Sequence, residues 1–219
     1  MKVSHRPFKN RLYSEFARVG IALGSDKRLE LLDLLAQSPR YVDALASEME
    51  MSVANVSQHL QVLRNAKLVE SQREGTRVSY RLTDESVLRL WLALRGVAED
   101  HLPEIRELRA RNMIEGLEEE LPRDQLAQLL ETGAAVVIDV RPAIEFANGH
   151  LPGAVNVTVD DLPGRIADLP RDKRIVAYCR GPYCLFADEA VALLKRNGFD
   201  AIRLEGGWPD WLTDGPGAN

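Results

Sequence analysis

The chain has no uninterrupted apolar run of about eighteen residues, the length a membrane-spanning helix needs. Its N-terminus, Met1-Lys2-Val3-Ser4-His5-Arg6, is basic but lacks the apolar stretch of a secretory signal peptide. The protein is therefore expected to stay in the cytoplasm, with no membrane partner. Cysteine is scarce, with 2 in 219 residues. That is too few for a disulfide scaffold and suits a reducing compartment. Both cysteines, Cys179 and Cys184, fall in one short stretch, which makes them a chemical feature rather than an architectural one. A dominant charge of one sign is also missing. The formal net charge is −5, with the acidic excess in the second half and the first half close to neutral. Such a chain binds nucleic acid only if its basic groups gather on one face, so any case for a partner must come from pattern.

What is present is ordinary for a globular protein: 45% hydrophobic and 28% charged residues, in a chain long enough for two small domains. From Ser25 the first half reads as a helix with Leu29, Leu32 and Leu35 along one stripe, Ser25 or Asp26 as N-cap, and Pro39 as its stop. Tyr41–Met49 is a second short helix with Val42, Leu45, Ala46 and Met49 inward. After the turn Glu50-Met51-Ser52, Ser52 caps a third helix whose buried stripe is Val53, Val56, Leu60 and Leu63. Two short helices joined by a tight turn form a helix-turn-helix. The stripe leaves Asn55, Gln58, Gln61 and Asn65 outward, flanked by Ser57 and His59. These uncharged groups suit base edges, and Gln pairs bidentately with adenine. Arg64 and Lys67 suit phosphates. A hairpin follows, Leu68–Arg73 and Arg77–Leu82 joined by Glu74-Gly75-Thr76. Arg73, Thr76 and Arg77 stand at its tip, where a wing would meet backbone phosphate.

Residues of about 20–100 resemble the ArsR/SmtB winged-helix repressors, through the run from Ser52 to Val69 and the wing Arg73-Glu-Gly-Thr-Arg77. The resemblance implies a homodimer built from the first and last helices, reading an inverted-repeat operator in double-stranded DNA. Gln61 departs from the pattern, since such repressors often carry a basic residue there. Many relatives sense metals through cysteines in the helix matching Tyr41–Met49, and this chain has none there. Others use a pair of motifs in the final helix. His101-Leu-Pro-Glu104 supplies half of that set, which is too few ligands for a closed site. No metal or other cofactor is expected, and His101 reads as a solvated helix residue.

From Ser86 to about Leu102 the pattern is helical, and Glu104–Glu120 reads as a solvated helical connector ending at Leu121-Pro122. Beyond it, helices and buried strands alternate. Ala135–Val140, Ala154–Val157, Arg174–Tyr178 and Ala201–Leu204 read as strands. Asp124–Glu131, Pro142–Ala147, Asp160–Leu169 and Ala187–Asn197 read as helices. This order argues for an open α/β sheet, with function beyond the carboxyl ends of its strands. Cys179 stands where the Arg174–Tyr178 strand ends, and Arg180-Gly181-Pro182-Tyr183-Cys184 runs toward the next helix. Backbone N–H groups and the positive end of a helix dipole favour thiolate over thiol in such a loop. A nucleophile so placed can take a sulfane sulfur and hold it as a persulfide.

Residues 120–213 resemble the rhodanese superfamily through Ile138-Asp-Val-Arg141 with Glu145-Phe146, Gly149-His-Leu-Pro-Gly-Ala-Val-Asn156, Tyr178-Cys179-Arg180-Gly181 and Glu205-Gly-Gly-Trp-Pro-Asp-Trp211. The resemblance implies sulfur transfer with Cys179 as persulfide carrier and residues 180–184 as its cradle. It also implies that Asp139, Arg141, Glu145 and His150 hold the architecture. Only Arg180 in the loop is basic, so an anionic donor such as thiosulfate is expected to be a poor substrate. The phosphatases of the superfamily close a longer loop with Arg, and none stands here. Cys184 is open to three readings: a small buried residue, a resolving thiol that bridges to Cys179, or one member of a metal pair.

The expected architecture is a mainly α winged helix-turn-helix with a β-hairpin wing at 1–100, a helical linker at 101–120, and an α/β rhodanese-like open parallel sheet at 121–219. The leading function is a DNA-binding repressor that senses sulfane sulfur, donated by thiosulfate, polysulfide or a low-molecular-weight persulfide, at Cys179. The alternatives are a sulfurtransferase with the DNA-binding half as a dimeric tether, and a redox sensor using Cys179 and Cys184.

Overall fold

The computed structural model describes residues 5–117 and 119–214. Met1–Ser4 of the basic terminus and Glu118 of the expected connector lie outside them. The chain divides into two compact units, Met1–Trp91 and Leu92–Asn219.

In the first unit α1 (Arg6–Leu23) and α2 (Asp26–Gln37) lead into a two-residue strand, β1 (Arg40–Tyr41). Then come α3 (Val42–Glu48), α4 (Val53–Asn65) and the hairpin β2 (Val69–Glu74) and β3 (Arg77–Leu82). The next helix, α5 (Glu85–His101), starts in this unit and ends in the second. Leu31, Leu32 and Leu35 of α2 pack with Leu45 of α3 and Val56, Leu60 and Leu63 of α4. The buried face of α2 is broader than one stripe, because Leu31 and Leu34 are sealed while Leu29 is only half-buried. Val53, expected inside, is 47% exposed. As the first residue of α4 it lies beyond the edge of the packed face. Ser52 caps α4 as expected, its Oγ accepting the Asn55 N–H at 3.2 Å. Ser25 occupies the N-cap position of α2 but makes no side-chain cap bond.

The turn before α4 places Glu50 in the left-handed region, φ 52°, and the Met51 N–H donates to Ala46 O at 2.9 Å. β2 and β3 pair antiparallel from Val69–Leu82 to Glu74–Arg77, which leaves Gly75-Thr76 as the two-residue turn, with Gly75 at φ 63°. The sheet order is β1-β3-β2. No hydrophobic alternation betrays β1, which is two residues long.

In the second unit α6 (Pro103–Asn112) is shorter than the connector helix expected over Glu104–Glu120. Gly116 turns at φ 83°, and Leu117 is buried with the core that also takes Ile114. Apolar burial here overrides the helical pattern. There follow β4 (Glu120–Leu121), α7 (Arg123–Glu131), β5 (Ala135–Asp139), α8 (Ala143–Asn148), β6 (Val155–Asn156) and α9 (Leu162–Arg165), continued by a 3-10 turn over Ile166–Asp168. β7 (Arg174–Cys179), α10 (Phe186–Arg196), β8 (Ala201–Gly207) and α11 (Trp208–Asp214) complete it. The five strands form a parallel sheet in the order β4-β8-β7-β5-β6.

β7 is the central strand, and after Arg174 it is buried from Ile175 to Cys179 because both faces are covered. Its parity sorts the side chains. Ile175, Ala177 and Cys179 join the cluster with Ala187, Ala190, Val191 and Leu194 of α10. Val176 and Tyr178 join the opposite cluster with Leu126, Leu151 and Trp211. The two-residue period of the strand therefore assigns Cys179 to the α10 side.

Candidate functional site

Cys179 is the last residue of β7 and is 1% exposed, while Cys184 is half-buried. Their sulfurs are bonded, with Cα atoms 6.3 Å apart, inside the range a disulfide spans. Of the three readings open for Cys184, the structure displays the bridge. The loop between them closes on itself, since the Cys184 N–H donates to Gly181 O at 3.2 Å. Arg203 of β8 reinforces the turn. Its guanidinium is buried and donates to Gly181 O at 2.8 Å and to Asp188, in the first turn of α10, at 2.7 Å. Arg203 was not singled out from the sequence, because only the pairing of β8 beside β7 brings it to the loop. The sole signal was an arginine in an otherwise apolar run, Ala201-Ile-Arg-Leu204.

The end of β8 fixes the other side. Cys179 pairs with Gly207 after a register shift, and a Cβ on Gly207 would collide with the Arg180–Gly181 peptide. The Gly207 N–H donates to Asp210 at 3.0 Å. Asp210 in turn pairs with Arg95.

Arg180, the first loop residue after Cys179, is engaged by α8. It forms a two-pronged ion pair with Glu145, at 3.0 and 2.7 Å, and Glu145 is sealed from solvent. Pro182 is half-buried and Tyr183 exposed, its hydroxyl donating to Glu99 at 2.6 Å. Burial first, and then Glu99, push the Tyr183 hydroxyl far above its ordinary pKa, so it remains a donor at any working pH.

Behind the loop, Asp139 and Arg141 form a buried pair, and Tyr178 donates to Asp139 while accepting the Leu151 N–H at 3.1 Å. Burial and the Asp139 charge hold the Tyr178 hydroxyl protonated. His150 is exposed and stacks on Phe146 with ring centroids 3.8 Å apart.

In the first unit, Asn55, Gln58, Gln61 and Arg64 stand exposed along α4, with Ser57 and His59 half-buried beside them. Ser52 is exposed, but its hydroxyl is occupied by the cap. Gln61 donates to Asn65 Oδ1 at 2.8 Å, which holds its amide along the helix. At the wing, Arg73, Thr76 and Arg77 are exposed. Arg73 Nε donates to Gly75 O at 3.1 Å, and Arg77 lies over the Tyr41 ring at 5.3 Å. Both cationic heads are thus steadied at the tip. Among the described residues no group of three or more His, Cys, Asp or Glu could hold a metal ion, and no helix is long and apolar enough to cross a membrane.

Comparison with known proteins matches the two units separately and together. Residues 25–71 fit the model of the bacterial regulatory protein arsR family, and residues 122–214 fit that of the rhodanese-like domain. The HTH-type transcriptional regulator Rv0324 of Mycobacterium tuberculosis is 40% identical over 94% of this chain and 91% of its own length. A sulfurtransferase of Allochromatium vinosum is 30% identical over 44% of this chain and 90% of its own length. The transcriptional repressor SmtB homolog of Synechocystis is 41% identical over 38% of this chain and 60% of its own length. A winged helix-turn-helix followed by a five-stranded parallel sheet, in a chain related over nearly its whole length to an HTH-type transcriptional regulator, identifies the family. The chain belongs to the ArsR family of winged helix-turn-helix transcriptional regulators, in the form that carries a rhodanese-like domain.

Proposed function

We propose that this regulator is a repressor that senses sulfane sulfur through Cys179 and Cys184. Residues 1–100 and 121–219 serve as its working domains, and 101–120 as their connector. It acts in the cytoplasm on an inverted-repeat operator in double-stranded DNA. The bond between Cys179 and Cys184 in the loop that closes β7 carries the reading. In the reduced protein, the Cys179 thiolate attacks the outer sulfur of an alkyl persulfide, the donor's S–S bond breaks, and the donor leaves as a thiol. Cys184 as thiolate then attacks Cys179 Sγ and expels hydrosulfide, leaving the protein disulfide. One persulfide and two thiols become one thiol, one hydrogen sulfide and one disulfide. The sulfane sulfur is the oxidant and accepts both electrons.

The engagement of Arg180 with Glu145 favours a donor of lower charge, such as an alkyl persulfide, over the dianion thiosulfate. A homodimer is supported by α1, on which Phe8, Tyr13, Phe16 and Ile21 are each more than half exposed. The base-reading set is Asn55, Gln58 and Gln61, with Ser57 and His59 at its margin and Arg64, Arg73, Thr76 and Arg77 on phosphates.

Operator gel-shift titrations of the wild type and Cys179→Ser, with and without polysulfide, test this. Polysulfide is expected to weaken wild-type binding by about 5- to 150-fold, the range of ordinary coupling between sites, and to leave Cys179→Ser unaffected. Identical curves in every condition would sink the reading. Measured sulfide release separates it from a peroxide sensor, which forms the same bond without sulfide. The likeness of the second half to sulfurtransferases favours one further reading, a transferase tethered by its DNA-binding half. Thiosulfate-to-cyanide turnover that depends on Cys179, without any operator effect, would establish it.

A further inference from the structure

The sulfur loop is restrained from outside the segment that matches the rhodanese-like domain. That segment begins at residue 122, yet two of the contacts that hold the loop come from Arg95 and Glu99, in the Leu92–His101 part of α5. Glu99 accepts the Tyr183 hydroxyl at 2.6 Å. Arg95, only 11% exposed at its side chain, pairs with Asp210, and Asp210 accepts the Gly207 N–H at 3.0 Å. Gly207 in turn lies directly against the Arg180–Gly181 peptide. Arg95 also passes beside the loop itself, its Nη1 standing 3.5 Å from where a Cβ on Gly181 would be. Arg95 and Glu99 are one helical turn apart on the same face and 3.4 Å from each other. All these residues belong to the second unit.

Tyr183 immediately precedes Cys184, so a movement of Cys184 toward or away from Cys179 displaces the phenol that Glu99 holds. We propose that Glu99 and Arg95 are positioning residues of the sulfur site, setting the balance between the bonded and the separated states of Cys179 and Cys184. Linkage is reciprocal: if the Tyr183–Glu99 contact favours the bond, the bond favours the contact to the same degree. Because α5 begins at Glu85 in the DNA-binding unit, the helix supplies a covalent path by which the state of the thiols reaches that unit. This regulatory consequence rests on the sensing reading above. The positioning role does not.

The test titrates the full chain against mixtures of reduced and oxidised glutathione. Two glutathione thiols reduce the bond and leave as glutathione disulfide, and the fraction of free Cys179 and Cys184 is counted by thiol alkylation and mass spectrometry. Tyr183→Phe and Glu99→Ala are each expected to shift the midpoint about 2- to 10-fold toward the reduced pair, the worth of one partly exposed hydrogen bond. The double variant should shift it no further than either single one. Unfolding midpoints taken with the pair reduced should match the wild type, which separates the shift from a general loss of stability. An unmoved glutathione midpoint in both single variants, or full additivity in the double, overturns the proposal.

A second arm measures operator affinity with the pair bonded and separated. If the wild type shows a difference, Tyr183→Phe is expected to lose at least half of it on a logarithmic scale, and retention of the whole difference overturns the regulatory consequence. If the wild type shows no difference, the sensing reading fails, while the glutathione midpoints still decide the positioning role.

Discussion

Asp139 and Arg141, two positions apart where β5 ends, form a two-pronged ion pair with neither side chain exposed to solvent. The guanidinium also donates to Gly149 O at 2.8 Å and lies 5.5 Å from the rings of Tyr178 and Trp208. Asp139 also accepts from the buried Tyr178 hydroxyl, so the carboxylate is held on two sides away from solvent. Such a pair is costly to break from one side, because the charge left behind has no water to turn to.

Asp139→Ala and Arg141→Ala should therefore each destabilise the second unit by about 3–5 kcal/mol, read as a lowered urea midpoint. Operator binding by the first unit at low temperature should survive. A loss below about 1 kcal/mol would mean that the pair is solvated in solution.

At Gly149, a Cβ would collide with the Trp208 indole. Gly149→Ala is expected to cost about 1–3 kcal/mol, the usual penalty of overpacking, and to shift the emission of Trp208. Near-identical spectra and stability would show that the ring moves aside freely.

Ser52→Ala removes the cap of α4 and should lower the stability of the first unit by about 1 kcal/mol. Operator affinity should fall with it, because the first turn of α4 presents Asn55. Thermal unfolding and gel shifts on one preparation check both effects. Ser52→Asp should restore the cap without restoring affinity, since a carboxylate would then stand near the DNA backbone.

The wing makes a separate claim. Arg73→Ala and Arg77→Ala should each flatten the dependence of log affinity on log salt by about 1.8 per dimer, the loss of one phosphate contact in each protomer. Discrimination between operator and unrelated DNA should change little. Gln58→Ala should do the reverse, narrowing discrimination by about 1–3 kcal/mol per half-site with an unaltered salt slope.

Much of this was legible in order along the chain. The cap at Ser52, the paired strands around Gly75 and the buried strand that leads into Cys179 are written in local pattern, where neighbours in sequence are neighbours in space. What escaped was lateral. Arg180 reads as a loop cation until α8 brings Glu145 beneath it. Arg203 reads as an oddity until β8 lies beside β7. Glu99 and Tyr183 are 84 residues apart and carry no shared motif. Ile114 and Leu117 fall inside the stretch Glu104–Glu120, whose pattern reads as a solvated helix, because periodicity reports a face and not what covers it.

Gly207 carries no side chain, takes no proton and offers no sulfur, yet any larger residue at that position would press on the peptide that begins the thiol loop. A saturation scan scored by response to persulfide would rank this silent position beside Cys179 itself. A residue selected only for taking up no room would then match a reactive one, and a search confined to reactive groups would pass over it.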